Sequence, residues 1–312
     1  MSNRFTELVG CELAVQQAAM SRTATPQLAA AVSNAGGLGM LAMGRSGLGA
    51  ARRQFDAVPE LTDRPVGAGF IVEFLDLDVL AEAAARLPVV EFFWGWPDPD
   101  LVHPGPITGW QVGTVDEARA AVDAGCGYVV AQGLEAGGHV RGTTPLAEIV
   151  PAVRAAVDVP VVASGGIGTA DDVARALDAG ADAVRIGTRF VATIESDAHD
   201  RYVDQLIAAG SADTIVTARF DVGWPDAPAR VLASALQAAE QAPDGVVATL
   251  TSADGGRTDI VRFSTPSPTR GMSGNLDAMA LYAGFSVDAV TRRATVAEVM
   301  TELTCGLTER LS

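Results

Sequence analysis

The chain has 312 residues and a formal net charge of −16, from 38 acidic and 22 basic residues, which is enough length for one large α/β domain or a domain with a modest insertion. The basic residues are scattered rather than clustered, which argues against nucleic acid or an anionic membrane as partner and leaves a small-molecule ligand. Every one of them is arginine, and the absence of lysine removes Schiff-base, pyridoxal-phosphate and Walker-type nucleotide chemistry. Cys11, Cys126 and Cys305 are far apart and form no C-x-x-C; they read as core or half-buried thiols in a reducing compartment. Arg4, Glu7 and Glu12 interrupt the N-terminal stretch, and no run of about 18 apolar residues follows, so a soluble, cytoplasmic protein is expected.

In chain order, short apolar runs at 12–16, 38–42, 66–71, 88–93, 108–112, 127–131, 159–163 and 182–186 alternate with helical patterns. Repeated βα units of this kind predict an α/β fold, a (β/α)8 TIM barrel, with an open doubly wound sheet as the alternative. Thr25-Pro26 and Thr144-Pro145 mark helix starts with proline at the first helical position. The unit from Gly113-Thr114 to Gly125 recurs 55 residues later as Gly168-Thr169 to Gly180. In each, a threonine N-cap precedes an acid, Glu117 or Asp172, in capping-box spacing, and glycine ends the helix. Residues 1–198 are therefore assigned to the barrel. Residues 199–275 break the alternation with Trp224-Pro225, Ala227-Pro228 and a Pro/Gly/Ser-rich stretch holding one strand-like run at 259–263, and are expected to form a small, mainly helical second domain or lid inserted after the last strand. Residues 276–312, with helical patterns at 276–285 and 295–310, are expected to return to the barrel.

Three glycine turns follow predicted strands: Gln132-Gly133-Leu134-Glu135-Ala136-Gly137-Gly138-His139, Ser164-Gly165-Gly166-Ile167, and Ile186-Gly187-Thr188-Arg189-Phe190. Gly165 and Gly187 are 22 residues apart, enough to place both turns on one rim of a parallel sheet. There, backbone N–H groups can hold a phosphate that a Cβ would block. Tight βα turns alone would explain one such pair of glycines; two in adjacent units favour a phosphate cradle. His139 lies on the loop after the sixth strand, where an imidazole can take a proton near neutral pH. His103 and His199 read as solvated surface residues. Glu135 is either a base or a carboxylate that fixes its loop, and the second is favoured because nothing near it implies the desolvation a base would need. No His or carboxylate pair has metal-ligand spacing, so no metal is expected, and no G-x-S-x-G nucleophile is present.

These turns, together with Thr25-Pro26-Gln27-Leu28-Ala29 through Asn34-Ala35-Gly36-Gly37-Leu38-Gly39 and with Ala278-Met279-Ala280-Leu281-Tyr282-Ala283-Gly284, resemble the nitronate monooxygenase (2-nitropropane dioxygenase) family over nearly the whole chain. The resemblance implies an FMN-dependent barrel enzyme that oxidises alkyl nitronates with O2 to a carbonyl product and nitrite. It implies that Gly166, Gly187 and Thr188, with the neighbouring Gly165 and Ile186, hold the FMN phosphate. Ala19 and Met20 would pack by the isoalloxazine, and Gln132 and Gly137 would contact it. Gly69 and Arg185 fall at further flavin-side positions, and His139 matches the family's catalytic histidine. The chain departs from the family pattern at Ala19, where relatives carry proline, at Gly69, where one branch carries asparagine, at Arg185, and at Phe285, where glutamine is frequent. NAD(P)H-dependent enoyl-thioester or quinone reductases share similar glycine motifs and form the alternative.

Overall fold

The computed structural model describes residues 3–252 and 255–306. Strands β1 (Val15–Gln17), β2 (Gly39–Ala42), β3 (Val66–Ile71), β4 (Val89–Phe93), β5 (Ile107–Val112) and β6 (Tyr128–Gln132) come first, then the two-residue β7 (Gly138–His139), β8 (Val161–Ser164) and β9 (Ala183–Ile186). All but β7 pair in parallel in the order β1-β9-β8-β6-β5-β4-β3-β2, and a parallel bridge between Gln16 and Leu38 closes the sheet into a barrel. The eight expected apolar runs are the eight barrel strands, β3 with the expected bounds and the others with bounds displaced by up to three residues. The largest displacement is at β1, because the N–H groups of Glu12 and Leu13 turn back to the carbonyl of Gly36, at 2.9 and 2.8 Å, instead of entering the sheet.

Helices α1 (Arg4–Val9), α2 (Pro26–Asn34), α3 (Leu48–Leu61), α4 (Leu77–Arg86), α5 (Val115–Asp123), α6 (Leu146–Arg154), α7 (Ala170–Asp178) and α8 (Thr188–Val191) occupy the barrel half of the chain. Thr25, Thr114 and Thr169 cap their helices by accepting the N–H of Leu28, Glu117 and Asp172. The reciprocal half of the capping box forms only at Asp172, which accepts the Thr169 N–H at 2.9 Å. Glu117 instead accepts the Gly113 N–H at 2.7 Å and pairs with Arg141. Gly125 and Gly180 end α5 and α7 at φ of 99° and 101°, a conformation that favours glycine. Pro145 stands one position earlier than expected, as the cap of α6 rather than its first residue.

Inside the barrel the layers are chemically distinct. At the amino-terminal end, Leu38, Met40, Val89, Tyr128, Val130, Val162 and Ala183 form an apolar cluster. Helix α1 closes that end, with Phe5 edge-on to Tyr128 at 5.6 Å between ring centres. A larger cluster fills the space between the sheet and the outer helices, including Leu41, Val90, Phe92 and Trp110.

Residues 199–275 are not mainly helical. Among the described residues they hold α9 (Asp200–Ala208), α10 (Ala233–Gln241) and five strands: β10 (Thr214–Thr217), β11 (Ala229–Leu232), β12 (Val246–Thr251), β13 (Arg257–Val261) and β14 (Met272–Gly274). Strand β11 pairs antiparallel with both β10 and β7, setting Ala229 opposite His139; β12 pairs antiparallel with β13 and β14. The β-branched runs Thr214-Ile215-Val216-Thr217 and Val246-Val247 carry this preference. The 276–285 pattern is likewise not a helix: it has one 3-10 turn at Leu276–Ala278, and the following residues run beside β11, where Leu232 N–H donates to the Leu281 carbonyl at 2.9 Å. Ala278, Met279, Ala280 and Leu281 are all buried, and an apolar run buried on every side carries no periodicity to separate the two forms. Helix α11 (Val296–Thr304) packs on α2, α7 and α8, returning the chain to the barrel; 307–310 of the expected helix lie outside the described residues. No helix among the described residues is long and apolar enough to cross a membrane.

A Cβ at Gly39 would stand 1.9 Å from the Ala29 carbonyl oxygen, where β2 presses on α2. Gly39→Ala should therefore lower stability by about 3 kcal/mol, read as a lower urea midpoint; an unchanged midpoint would show that α2 can shift.

Candidate active site

A cavity of about 990 Å³ opens at the carboxyl ends of the barrel strands. Of the residues expected at the site, Ala19, Met20, Gly69, Gln132, Gly137 and His139 line it, as do Gly165, Gly166, Arg185, Gly187 and Thr188. Ile186 does not: its side chain is fully buried in the cluster between sheet and helices, and strand alternation turns it away from the cavity that receives Arg185 and Gly187. Ala19 and Gly69 touch so closely that a Cβ at Gly69 would lie 2.5 Å from that of Ala19. The two departures at these positions are thus one packing solution.

Gly165 and Gly166 have φ of 127° and 71°. A Cβ at Gly166 would stand 3.0 Å from the Glu135 Cβ. The N–H groups of Gly166, Gly187 and Thr188 donate to no acceptor among the described residues, while the Thr188 hydroxyl accepts the Gly284 N–H at 3.1 Å. Three uncommitted donors from two adjacent βα turns suit an anion such as a phosphate.

His139 is placed by β7 and by Gln132, whose amide donates to the His139 carbonyl at 2.9 Å and accepts the Arg141 N–H at 3.0 Å. Its ring lies 4.0 Å from that of Trp224, 5.6 Å from Tyr282 and 6.0 Å from Trp94. Nε2 is buried with no hydrogen-bond partner among the described residues. Burial pushes the imidazole pKa down to about 4, below the near-neutral range expected from the sequence, so the ring is neutral at pH 7. Trp224 is held by its indole N–H, which donates to Glu73 at 2.6 Å. Trp94 has φ of 61°, a strained value for a bulky residue that is maintained beside the site.

Glu135 is a loop-fixing carboxylate: both its oxygens accept the Leu146 N–H, at 2.9 and 3.1 Å, supplying the cap that Pro145 lacks. Arg230 on β11 donates to the Leu134 carbonyl at 2.9 Å and lies over the Phe285 ring at 4.6 Å. Phe285 is 39% exposed and outside the cavity lining, so its difference from relatives acts on this outer clamp. The inner end of the cavity is polar. Arg185, Glu91 and Gln111 line it, and Arg185 bonds Glu91, Gln111 and Gln16.

Trp94, Trp224 and Glu91 are neighbours of the site that motif reading passes over, and Tyr282, although inside the Ala278–Gly284 run, carries no site role there. Glu91 had a signal of its own, a lone acid within the strand Val89-Val90-Glu91-Phe92-Phe93. Trp224 read only as a helix break.

The family model described as nitronate monooxygenase matches residues 2–88 and 75–306. A nitronate monooxygenase of Pseudomonas aeruginosa is 34% identical over 269 residues, covering 70% of this chain and 77% of that protein. A (3aS,4S,5R,7aS)-5-hydroxy-7a-methyl-1-oxo-octahydro-1H-indene-4-carboxyl-CoA dehydrogenase of Rhodococcus jostii is also 34% identical, over 229 residues; the match covers 71% of this chain but 64% of that relative's length. A solved nitroalkane oxidase from Streptomyces ansochromogenes superposes with a TM-score of 0.77 at 28% identity, covering 99% of both chains.

Because the His139 pKa is about 6.5 unfolded and about 4 folded, the unfolded chain binds the extra proton first. Its contribution to stability is complete above pH 6.5 and declines as pH falls toward 4, by roughly 3 kcal/mol in all. Denaturant titrations across that range should show a shallower decline for His139→Phe than for the native protein; equal slopes would contradict a buried neutral imidazole.

Proposed function

The chain belongs to the nitronate monooxygenase family of oxidoreductases, and we propose that it binds FMN in this cavity and oxidises alkyl nitronates with O2, the substrate carbon gaining an oxygen atom and losing its nitrogen as nitrite. One observation carries the reading: Gly166, Gly187 and Thr188, with three uncommitted backbone donors, and His139, whose buried Nε2 has no partner among the described residues, line one cavity with room for a flavin and a small substrate together.

The residues present fit the cofactor. Gly166, Gly187 and Thr188 would hold its phosphate, and Ala19, Met20 and Gly69 would accept the flat ring, their small or flexible side chains leaving a slot. Bound FMN would supply the electron-accepting centre. Phe70, Phe74, Phe93, Trp224 and Tyr282 line the same cavity and exclude water from the reacting end. His139 faces the substrate as a neutral base. A nitronate anion formed against it would stabilise the imidazolium that the dry pocket otherwise disfavours, so deprotonation and binding support one another.

A second reading, NAD(P)H-dependent reduction of an enoyl thioester or quinone, draws on the relative named for a carboxyl-CoA substrate and would use the same phosphate cradle.

Gly166→Asp puts a side chain and a negative charge among the phosphate donors, and should abolish FMN uptake in a spectroscopic titration of a folded variant. Retained binding would put the phosphate elsewhere. His139→Ala should keep FMN but slow turnover of neutral nitroalkane by about 10²-fold or more, with far less effect on preformed nitronate; equal losses on both would contradict the base role.

A further inference from the structure

The floor of the cavity carries an ion pair that neither barrel formation nor the proposed proton transfer requires. Arg185 and Glu91 are 4% and 3% exposed in their side chains and are in direct contact. The Arg185 guanidinium also donates to Gln16 Oε1 from Nε and Nη2, at 3.1 and 3.0 Å, and to Gln111 Oε1 from Nη1 at 2.6 Å. Glu91 Oε2 accepts from Gln16 Nε2 at 3.0 Å and from the Tyr128 hydroxyl at 2.9 Å. Strands β1, β4, β5, β6 and β9 each contribute one member. Buried ion pairs bring little net stability, because desolvation offsets their attraction, and uncharged residues of similar size often serve as well. This pair is nonetheless placed where Arg185, Glu91 and Gln111 meet the cavity. Four of the five guanidinium N–H groups are committed, and Glu91 Oε1 has no donor among the described residues, so Arg185 keeps one N–H and Glu91 one oxygen uncommitted.

The geometry points to the Arg185–Glu91 pair as the element that poises the reduction potential of FMN in this cavity, Arg185 favouring the negative charge the ring gains on reduction and Glu91 holding that effect in check. The inference rests on the FMN reading above. Arg185 and Glu91 are here positioning residues of the cofactor's electrostatics. Removing one member leaves a net charge in a water-poor barrel, and the sign of that charge fixes the direction of the shift.

The test is spectroelectrochemical titration of FMN-loaded protein. Glu91→Gln leaves the arginine unopposed and should raise the midpoint potential; Arg185→Gln leaves the carboxylate and should lower it. The double variant is uncharged at the floor, keeps the protein measurable if Arg185→Gln alone does not fold, and should return close to the native potential. Flavin-loaded Glu91→Gln and double variants with potentials indistinguishable from each other would overturn the inference while leaving the FMN reading intact. Native protein that takes up no FMN would instead overturn the functional reading and this inference with it.

Discussion

Closing eight parallel strands through the Gln16–Leu38 bridge forces every strand to deliver its carboxyl end to the same rim. The rest of the molecule follows from that closure. The opposite end must be stopped, and α1 does so with Phe5 against Tyr128. The rim must be walled, and the segment after α8 does so by adding β11 to β7. That antiparallel pairing fixes the backbone of His139 between the barrel and the inserted segment, so the imidazole is carried on paired backbone rather than on a free loop.

Two opposing environments share the resulting cavity. On one side, uncommitted backbone donors at Gly166, Gly187 and Thr188 favour negative charge. On the other, Trp94, Trp224 and Tyr282 surround His139 and keep it neutral. Between them the floor holds opposite charges in contact, Arg185 and Glu91. The proposed anion cradle, the neutral imidazole and the balanced floor each ask something different of the local dielectric, and separate places in the cavity wall allow all three.

Much of this was legible in the residues. Apolar runs marked all eight barrel strands, and threonine caps marked α2, α5 and α7, because both signals are local. Eleven of the twelve expected site residues line the cavity: Gln132, Gly137, His139, Gly165, Gly166, Gly187 and Thr188 stand in the glycine turns, whereas Ala19, Met20, Gly69 and Arg185 rested on the family resemblance, and Ile186 is turned away by strand alternation. What escaped was set by distant partners. The strands in 199–275 are short and depend on pairing with β7 or with one another. The Ala278–Leu281 run is buried on all sides, which erases its period. Trp224 reaches the site from a loop 85 residues beyond His139, fixed there by Glu73. Phe285 drew attention as a departure from relatives, yet the chain path puts its ring under Arg230 on the outer surface. Glu91 was the readable omission: a charge in the middle of an apolar barrel strand must face a partner, and Arg185 was the charge in the corresponding position on β9.

The most direct test is oxygen uptake by FMN-loaded protein given a preformed alkyl nitronate, with no nicotinamide present. The account predicts oxygen consumption with release of nitrite and a carbonyl product. Absence of uptake with nitronate, together with rapid anaerobic bleaching of the flavin by NADH or NADPH, would contradict it.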